Sequence, residues 1–309
     1  MYYDQLPHGL PYATTKKPSE GKLYVIRCRI KLKLRDGKVP IFMFKDAVDC
    51  MLEGLSSSDP VIETKEFHEL ILTNIDYDNI KRFYHIETDP DYIPVYFVFK
   101  SCVGLFRNYI DHWQAVKNSS KRGTVEYYQS KFMQNQPYGR FALSPDGEET
   151  VLIVDDNGDL KLHSERVEND NVDAYLPYAM FITAHARRRL CDGMLAVGCE
   201  NVIHCDTDSI IYKGTPEIEG LDLGKRLGQW SIECQPMYMY EGGFKRYFEV
   251  LNWPIKSVDD ISIACAGVPQ QKTDDKIPIG MWVEILDDPS VITSDTELGQ
   301  SEYRIKSQW

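Results

Sequence analysis

Asp206 and Asp208 stand one residue apart in the stretch VIHCDTDSIIY, residues 202–212. The β-branched arms Val202-Ile203 and Ile210-Ile211 flank a short polar centre, which is the pattern of a strand–turn–strand hairpin. At about 4 Å and an effective dielectric near 20, two such carboxylates repel by roughly 4 kcal/mol. A counter-charge must offset that cost, or one carboxylate must stay protonated. Divalent magnesium takes carboxylate and phosphate oxygens, and its charge suits this arrangement. The spacing predicts that Asp206 and Asp208 come within a few ångströms of each other at a hairpin tip, on an open cleft.

Several chemistries share that physics, and the pair alone leaves them open. A surface turn without a role, a sugar-nucleotide-binding DxD, a phosphatase DxD and a polymerase palm all fit two aspartates at this spacing. A phosphatase nucleophile ends a strand and is followed by a helix. Here Ser209 to Tyr212 continue as strand, which disfavours that reading.

Three further groups of residues carry potential chemistry. In SKFMQNQPYGR, Lys131, Asn135 and Tyr138 are spaced four and three apart and share one helix face. An ammonium, an amide and an aromatic ring on one exposed face suit a nucleotide; an ordinary surface helix is the plainer alternative. In ITAHARRRL, Arg187, Arg188 and Arg189 form a basic cluster ahead of the aspartates, and FKRY (residues 244–247) follows them.

The elements that must position these residues are legible in outline. LYVIRCRIKLKLR (residues 23–35) alternates, with Ile26, Cys28, Ile30, Leu32 and Leu34 on one face and Arg27, Arg29, Lys31, Lys33 and Arg35 on the other. It reads either as a solvated edge strand or as a phosphate-facing one. Asp36 to Lys38 turn the chain, and VPIFMFK is expected to return as a second strand. Residues 66–74 alternate, and a helical stretch follows from Asp76 to Tyr84. Phe106, Ile110 and Trp113 predict an amphipathic helix over 103–117, and a second helix runs from Thr124 to about Gln136. Pro137 disfavours helix at Gln136, so the helix is expected to end or kink there. Residues 148–165 read as a β-hairpin about Asn157-Gly158, residues 178–197 as a long helix, and residues 222–232 as another helix. The last 45 residues are strand-and-loop in character.

Composition limits the classes. The chain has 309 residues, 43% of them hydrophobic, with a formal net charge of -12. That charge argues weakly against nucleic-acid binding except through a local basic strip. No apolar run is long enough for a membrane span, and the N-terminal stretch has no secretory pattern. Eight cysteines without CxxC pairs predict reduced thiols in a cytoplasm.

Taken in order, K-x3-N-x2-YG, T-x2-AR, DTDS and K-x-Y resemble the protein-primed branch of family B DNA polymerases of small tailed phages and linear plasmids. The resemblance implies an α+β fold: a family B palm of antiparallel sheet backed by helices, two-helix fingers, β-rich insertions and a small β thumb. It implies palm edge plus a first terminal-protein-region insertion over 1–104 and fingers over 105–140. A second, hairpin insertion follows over 141–172, then palm over 173–265 and thumb over 266–309. By the same resemblance Asp206 and Asp208 are catalytic and hold Mg2+ or Mn2+. Lys131, Asn135, Tyr138, Gly139 and Lys117 bind the nucleotide. Thr183, Arg187, Thr207, Ser209, Lys245 and Tyr247 hold DNA. The implied partners are primer-template DNA, dNTPs and a terminal priming protein, in the cytoplasm of the host and without a membrane.

The chain also departs from the family pattern. His204 replaces the usual tyrosine two places before Asp206, and Pro137 falls inside K-x3-N-x2-YG. The opening MYYDQLPHG resembles the segment that follows the family's D-x2-S-L-Y-P motif A, and no D-x2-S-L-Y-P occurs in the 309 residues. The expectation is therefore one part of a split or truncated polymerase, inactive alone, with a separate chain carrying exonuclease and motif A. A non-catalytic DNA-binding remnant or replication-complex subunit is the alternative.

Overall fold

Period-two alternation after Gly21 becomes strand β2 (Leu23–Leu34), the centre of the main sheet. The computed structural model describes residues 4–42, 60–143, 146–154, 160–168, 174–213, 218–224, 226–232, 234–243, 246–257 and 260–265. They belong to two compact units, residues 1–221 and 222–309.

In the first unit β1 (Gln5–Thr14), β5 (Val95–Val103), β2 and β3 (His68–Thr73) lie in that order, all antiparallel. Strand β4 (Tyr84–Thr88) pairs with the distal half of β2, from Ile30↔Thr88 to Leu34↔Tyr84. Strand β2 is thus paired on both sides, not an edge strand. Beyond it, Asp36-Gly37 turn as expected, with Gly37 at φ +69° and a Lys38 N–H to Arg35 carbonyl bond of 3.2 Å. Residues 39–42 do not form the expected return strand. The pairing positions along β2 are taken by β3, β4 and β5, and residues 43–45 of the expected strand lie outside the described residues.

The alternating face holds the core. Ile26, Cys28, Ile30 and Leu32 are buried with Leu70, Leu72, Phe83 and Tyr84. Each fully buried large aliphatic side chain contributes about 1.5–3 kcal/mol. Helix α1 (Asn74–Phe83) starts on a Thr73 cap, whose hydroxyl accepts from the Asp76 N–H at 3.1 Å. Cys28, Cys102, Cys191 and Cys199 are free thiols, and burial pushes Cys28 and Cys191 up to about 12.

Helices α2 (Arg107–Ser119) and α3 (Val125–Phe141) form an antiparallel pair joined by a short turn, with Thr124 capping α3. An aromatic cluster plants the pair on the start of α4 (Leu176–Val197). Phe106 before α2 and Phe141 at the end of α3 both meet the Tyr178 ring, at 5.3 and 4.9 Å between centroids. Helix α3 runs on through Pro137 to Phe141, so it does not end at Gln136. Strands β6 (Asp146–Val154) and β7 (Leu160–Glu168) make the expected hairpin; its Asn157-Gly158 turn lies outside the described residues.

Helix α4 ends at Gly198, which takes φ +83°. An added Cβ there would stand 2.8 Å from Glu200 Oε1. A single 3₁₀ turn then leads into β8 (Val202–Asp206) and β9 (Ser209–Tyr212).

In the second unit β10 (Tyr238–Gly243), β11 (Arg246–Val250) and β12 (Ile261–Cys265) form an antiparallel sheet about β11. The described residues of 222–232 form turns and a Leu223↔Trp230 bridge in place of the expected helix. Gly224 and Gly228 fall inside that stretch, and each costs a helix interior about 1 kcal/mol. Residues 266–309, read from the sequence as thumb, lie outside the described residues. Among the described residues no helix is long and apolar enough to cross a membrane.

Candidate functional site

The aspartates fall on a strand–turn–strand hairpin, as the residues around them predict. Asp206 ends β8 and pairs with Ser209, so Thr207 and Asp208 form the tip. Cys205 and Ile210 pair across the hairpin and pack on the main core, as does Leu190 of α4. That packing fixes the hairpin from below and leaves Thr207 and Asp208 exposed. His204, in the position of the family's tyrosine, is buried.

The tip is tight. Thr207 takes φ +50°, the left-handed region, where a β-branched residue is an outlier. The Asp208 N–H reaches the Asp206 carbonyl at 2.5 Å. Thr207 donates its hydroxyl to Asp206 Oδ1 at 2.9 Å, and Ser209 donates to the Asp206 carbonyl at 3.1 Å. Both hydroxyls hold the turn, and the Thr207 hydroxyl also holds the Asp206 carboxylate. Among the described residues no three His, Cys, Asp or Glu side chains gather as a metal cluster. Asp206 and Asp208 are hard oxygen donors on an exposed tip, a donor type that fits one side of a magnesium site.

On α3, Lys131, Asn135, Tyr138 and Gly139 are all exposed, on the shared face that their spacing predicts. A Cβ on Gly139 would meet nothing within 4 Å, so the fold itself does not require glycine there. Lys117 is half-buried in the last turn of α2.

Helix α4 ties several of its polar residues into the fold. Thr183 turns its hydroxyl back onto its own helix, to the Ala179 and Met180 carbonyls at 2.9 and 3.0 Å. Arg187 is 52% exposed and holds Asp76 at 2.7 Å. His185 lies against the Gln5 carbonyl through Nε2 at 2.8 Å; a carbonyl only accepts, so Nε2 carries the proton. In the second unit Tyr247 sits on the central strand β11, opposite Glu241 and Ala264. Lys245 lies outside the described residues.

The basic face of β2 is not an open strip. Arg27 pairs with Glu69 at 2.8 Å, Arg29 with Asp89 at 3.2 Å and Lys33 with Glu63 at 3.5 Å. Lys31 lies over the Phe67 ring, 4.3 Å from its centroid, and Arg35 donates to the Lys81 and Tyr84 carbonyls. The sequence reading missed these acids and missed Asp76, because their partners lie tens of residues away. It also passed over Tyr109, whose hydroxyl reaches into α3.

The α+β fold with this hairpin is that of a DNA polymerase. The chain superposes on phi29 DNA polymerase complexed with primer-template DNA and incoming nucleotide substrates, with a TM-score of 0.72 and 27% identity. That match covers 91% of this chain and 50% of the other. Residues 1–219 match DNA polymerase type B, organellar and viral, and the chain belongs to that family. Among its relatives, the DNA polymerase of Bacillus phage Nf is 33% identical over 75% of this chain and 40% of its own length. That of Bacillus phage B103 is 31% identical over 90% of this chain and 47% of its own. The chain thus spans about half the length of the relatives it matches.

Proposed function

We propose that this chain is the fingers, palm and thumb portion of a protein-primed phage-type DNA polymerase that extends a primer on a template. The observation that carries this reading is the DTDS tip, Asp206 to Ser209, in a chain of this family. Asp206 and Asp208 hold magnesium, or manganese in its place. Bound there, the ion supplies positive charge for the triphosphate and for the oxygens between which the phosphoryl group passes. Lys131 meets the triphosphate, helped by Lys117. Asn135 and Tyr138 face the nascent base pair, and Gly139 leaves room beside them. Thr183, Arg187, Thr207, Ser209, Lys245 and Tyr247 lie along the primer and template backbone. Primer-template DNA, dNTPs and a terminal priming protein are the partners, in the host cytoplasm. The β6–β7 hairpin is the second insertion.

Two-metal transfer draws carboxylates from both sides of the cleft. The DTDS pair supplies one side, and no D-x2-S-L-Y-P element occurs in these 309 residues. The 309-residue chain by itself therefore does not extend a primer. The test is a primer-extension assay with magnesium, then manganese, on a primed template. Adding a polypeptide that carries the exonuclease region and ends in D-x2-S-L-Y-P restores extension, and Asp208→Asn abolishes it again. Robust extension by the 309 residues alone would show that another carboxylate stands in. No extension under any combination, with DNA still bound, would leave the non-catalytic DNA-binding role.

A further inference from the structure

Pro137 lies inside α3 and has no N–H. In an uninterrupted helix the N–H of residue 137 would donate to the carbonyl four residues back, that of Met133. A proline interior to a helix costs about 3 kcal/mol, in part because that carbonyl loses its partner. Yet α3 continues for another turn beyond Pro137, through Tyr138 to Phe141.

The Met133 carbonyl is met from the neighbouring helix. Tyr109, in the first turn of α2, donates its hydroxyl to Met133 O at 2.8 Å. Both groups are part-buried, where an unpaired carbonyl is costly. One residue on, the Gln134 Nε2 donates to Gln114 Oε1 at 2.7 Å, a second tie between the same helices. The Tyr109 ring stands 6.4 Å from the Trp113 ring on its own helix, which limits where its hydroxyl can point. The position of this bond is specific: it falls on the one carbonyl that Pro137 strips of its helical donor.

We propose that Tyr109 is a positioning residue for the nucleotide face of α3. Its side chain from α2 takes the place of the backbone rung that Pro137 removes. The rung sits between Lys131 and Tyr138, so it keeps Asn135 and Tyr138 in helical register with Lys131. The part concerning nucleotide rests on the reading of that face given above.

The test is a cycle of Tyr109→Phe and Pro137→Ala, singly and together, in the full 309-residue chain. Phenylalanine keeps the ring and removes only the hydroxyl; alanine restores an N–H that can donate to Met133. Amide hydrogen exchange across residues 125–141 is the first readout. With Pro137 present, Tyr109→Phe speeds exchange in the last turns of α3 by about fivefold, the size of one hydrogen bond. With Pro137→Ala present, the same change has less than about a twofold effect. Equal acceleration in both backgrounds, or none in either, overturns the proposal.

The second readout is binding of Mg-dATP, followed by fluorescence. Tyr109→Phe weakens it by about the same factor, and adding Pro137→Ala restores it. A Pro137-dependent exchange effect with unchanged Mg-dATP affinity would overturn the positioning role and leave a purely structural bond. If the unaltered chain shows no saturable Mg-dATP binding, the nucleotide reading of α3 fails. Exchange then still decides whether Tyr109 replaces the missing rung.

Discussion

Arg187 and Asp76, 111 residues apart, meet in a two-point ion pair, Nε to Oδ1 at 2.7 Å and Nη2 to Oδ2 at 2.8 Å. Asp76 is 14% exposed and also accepts the Thr73 hydroxyl at 2.8 Å, so one carboxylate closes the start of α1 and docks α4 on it. A planar guanidinium with a fixed fork fits such a pair better than a lysine can. In a double-mutant cycle of Asp76→Ala and Arg187→Ala, each single change lowers stability, and the pair couples by about 1 kcal/mol. Urea unfolding at low and high salt measures it. If the same guanidinium grips DNA, Asp76→Ala raises DNA affinity while it lowers stability. A parallel fall of both would confine Arg187 to the fold.

His185 gives the same helix a pH dependence. Burial holds its imidazole below the usual range, opposed by the bond to the Gln5 carbonyl and by Asp4. The folded chain thus takes up the His185 proton only at a lower pH than the unfolded chain does. Stability from this group is fully present above the ordinary histidine pKa of about 6.5 and is lost as pH falls through the folded value. The expected result is a unit-one melting temperature that declines as pH drops below about 6.5, with a smaller decline in His185→Gln. An identical profile in the variant would assign the loss to other groups.

Much of this was legible because period and punctuation are local properties. The strand face of Ile26 to Leu32, the helices about Trp113 and Lys131, and the aspartate hairpin all follow from spacing within a dozen residues. What failed depended on partners elsewhere. Five basic residues on one face of β2 look the same from sequence whether they meet phosphate or Glu69, Asp89 and Glu63. Pro137 signals a helix end unless a donor arrives from another helix, and Tyr109 is that donor. At 222–232 the expected helix is absent among the described residues, and Gly224 and Gly228 weigh against it.

The β2 cations yield a third prediction, now reversed from the phosphate-facing alternative. Arg27→Ala and Arg29→Ala each lower stability only slightly, since exposed ion pairs are worth little. They leave DNA binding and its salt slope unchanged. Each phosphate contact contributes about -0.9 to the slope of log K against log salt, so losing even one is detectable. An anisotropy titration over a range of salt checks this. A slope shallower by about one in either variant would return that arginine to the DNA.

The last prediction concerns the strain at the tip. Thr207 at φ +50° is β-branched in the left-handed region, which costs roughly 1–2 kcal/mol for an L-residue. Its hydroxyl bond to Asp206 Oδ1 repays about 0.5–1.5 kcal/mol of that. Such strain persists only where the surroundings enforce it, and here β8, β9 and the Ser209 bond do so. The two contributions separate by substitution. Thr207→Val keeps the shape and the strain but loses the hydroxyl, so it lowers stability by about 1 kcal/mol. Thr207→Asn loses the same hydroxyl but tolerates the left-handed backbone, so it is more stable than Thr207→Val by about 1 kcal/mol. Calorimetry gives the stabilities, and manganese binding by water-proton relaxation reports the carboxylates. Thr207→Val weakens manganese binding because Asp206 is no longer held, while Asp208→Asn weakens it by removing a ligand. If manganese affinity is the same in all three variants and the unaltered chain, the tip is a turn and not a metal site.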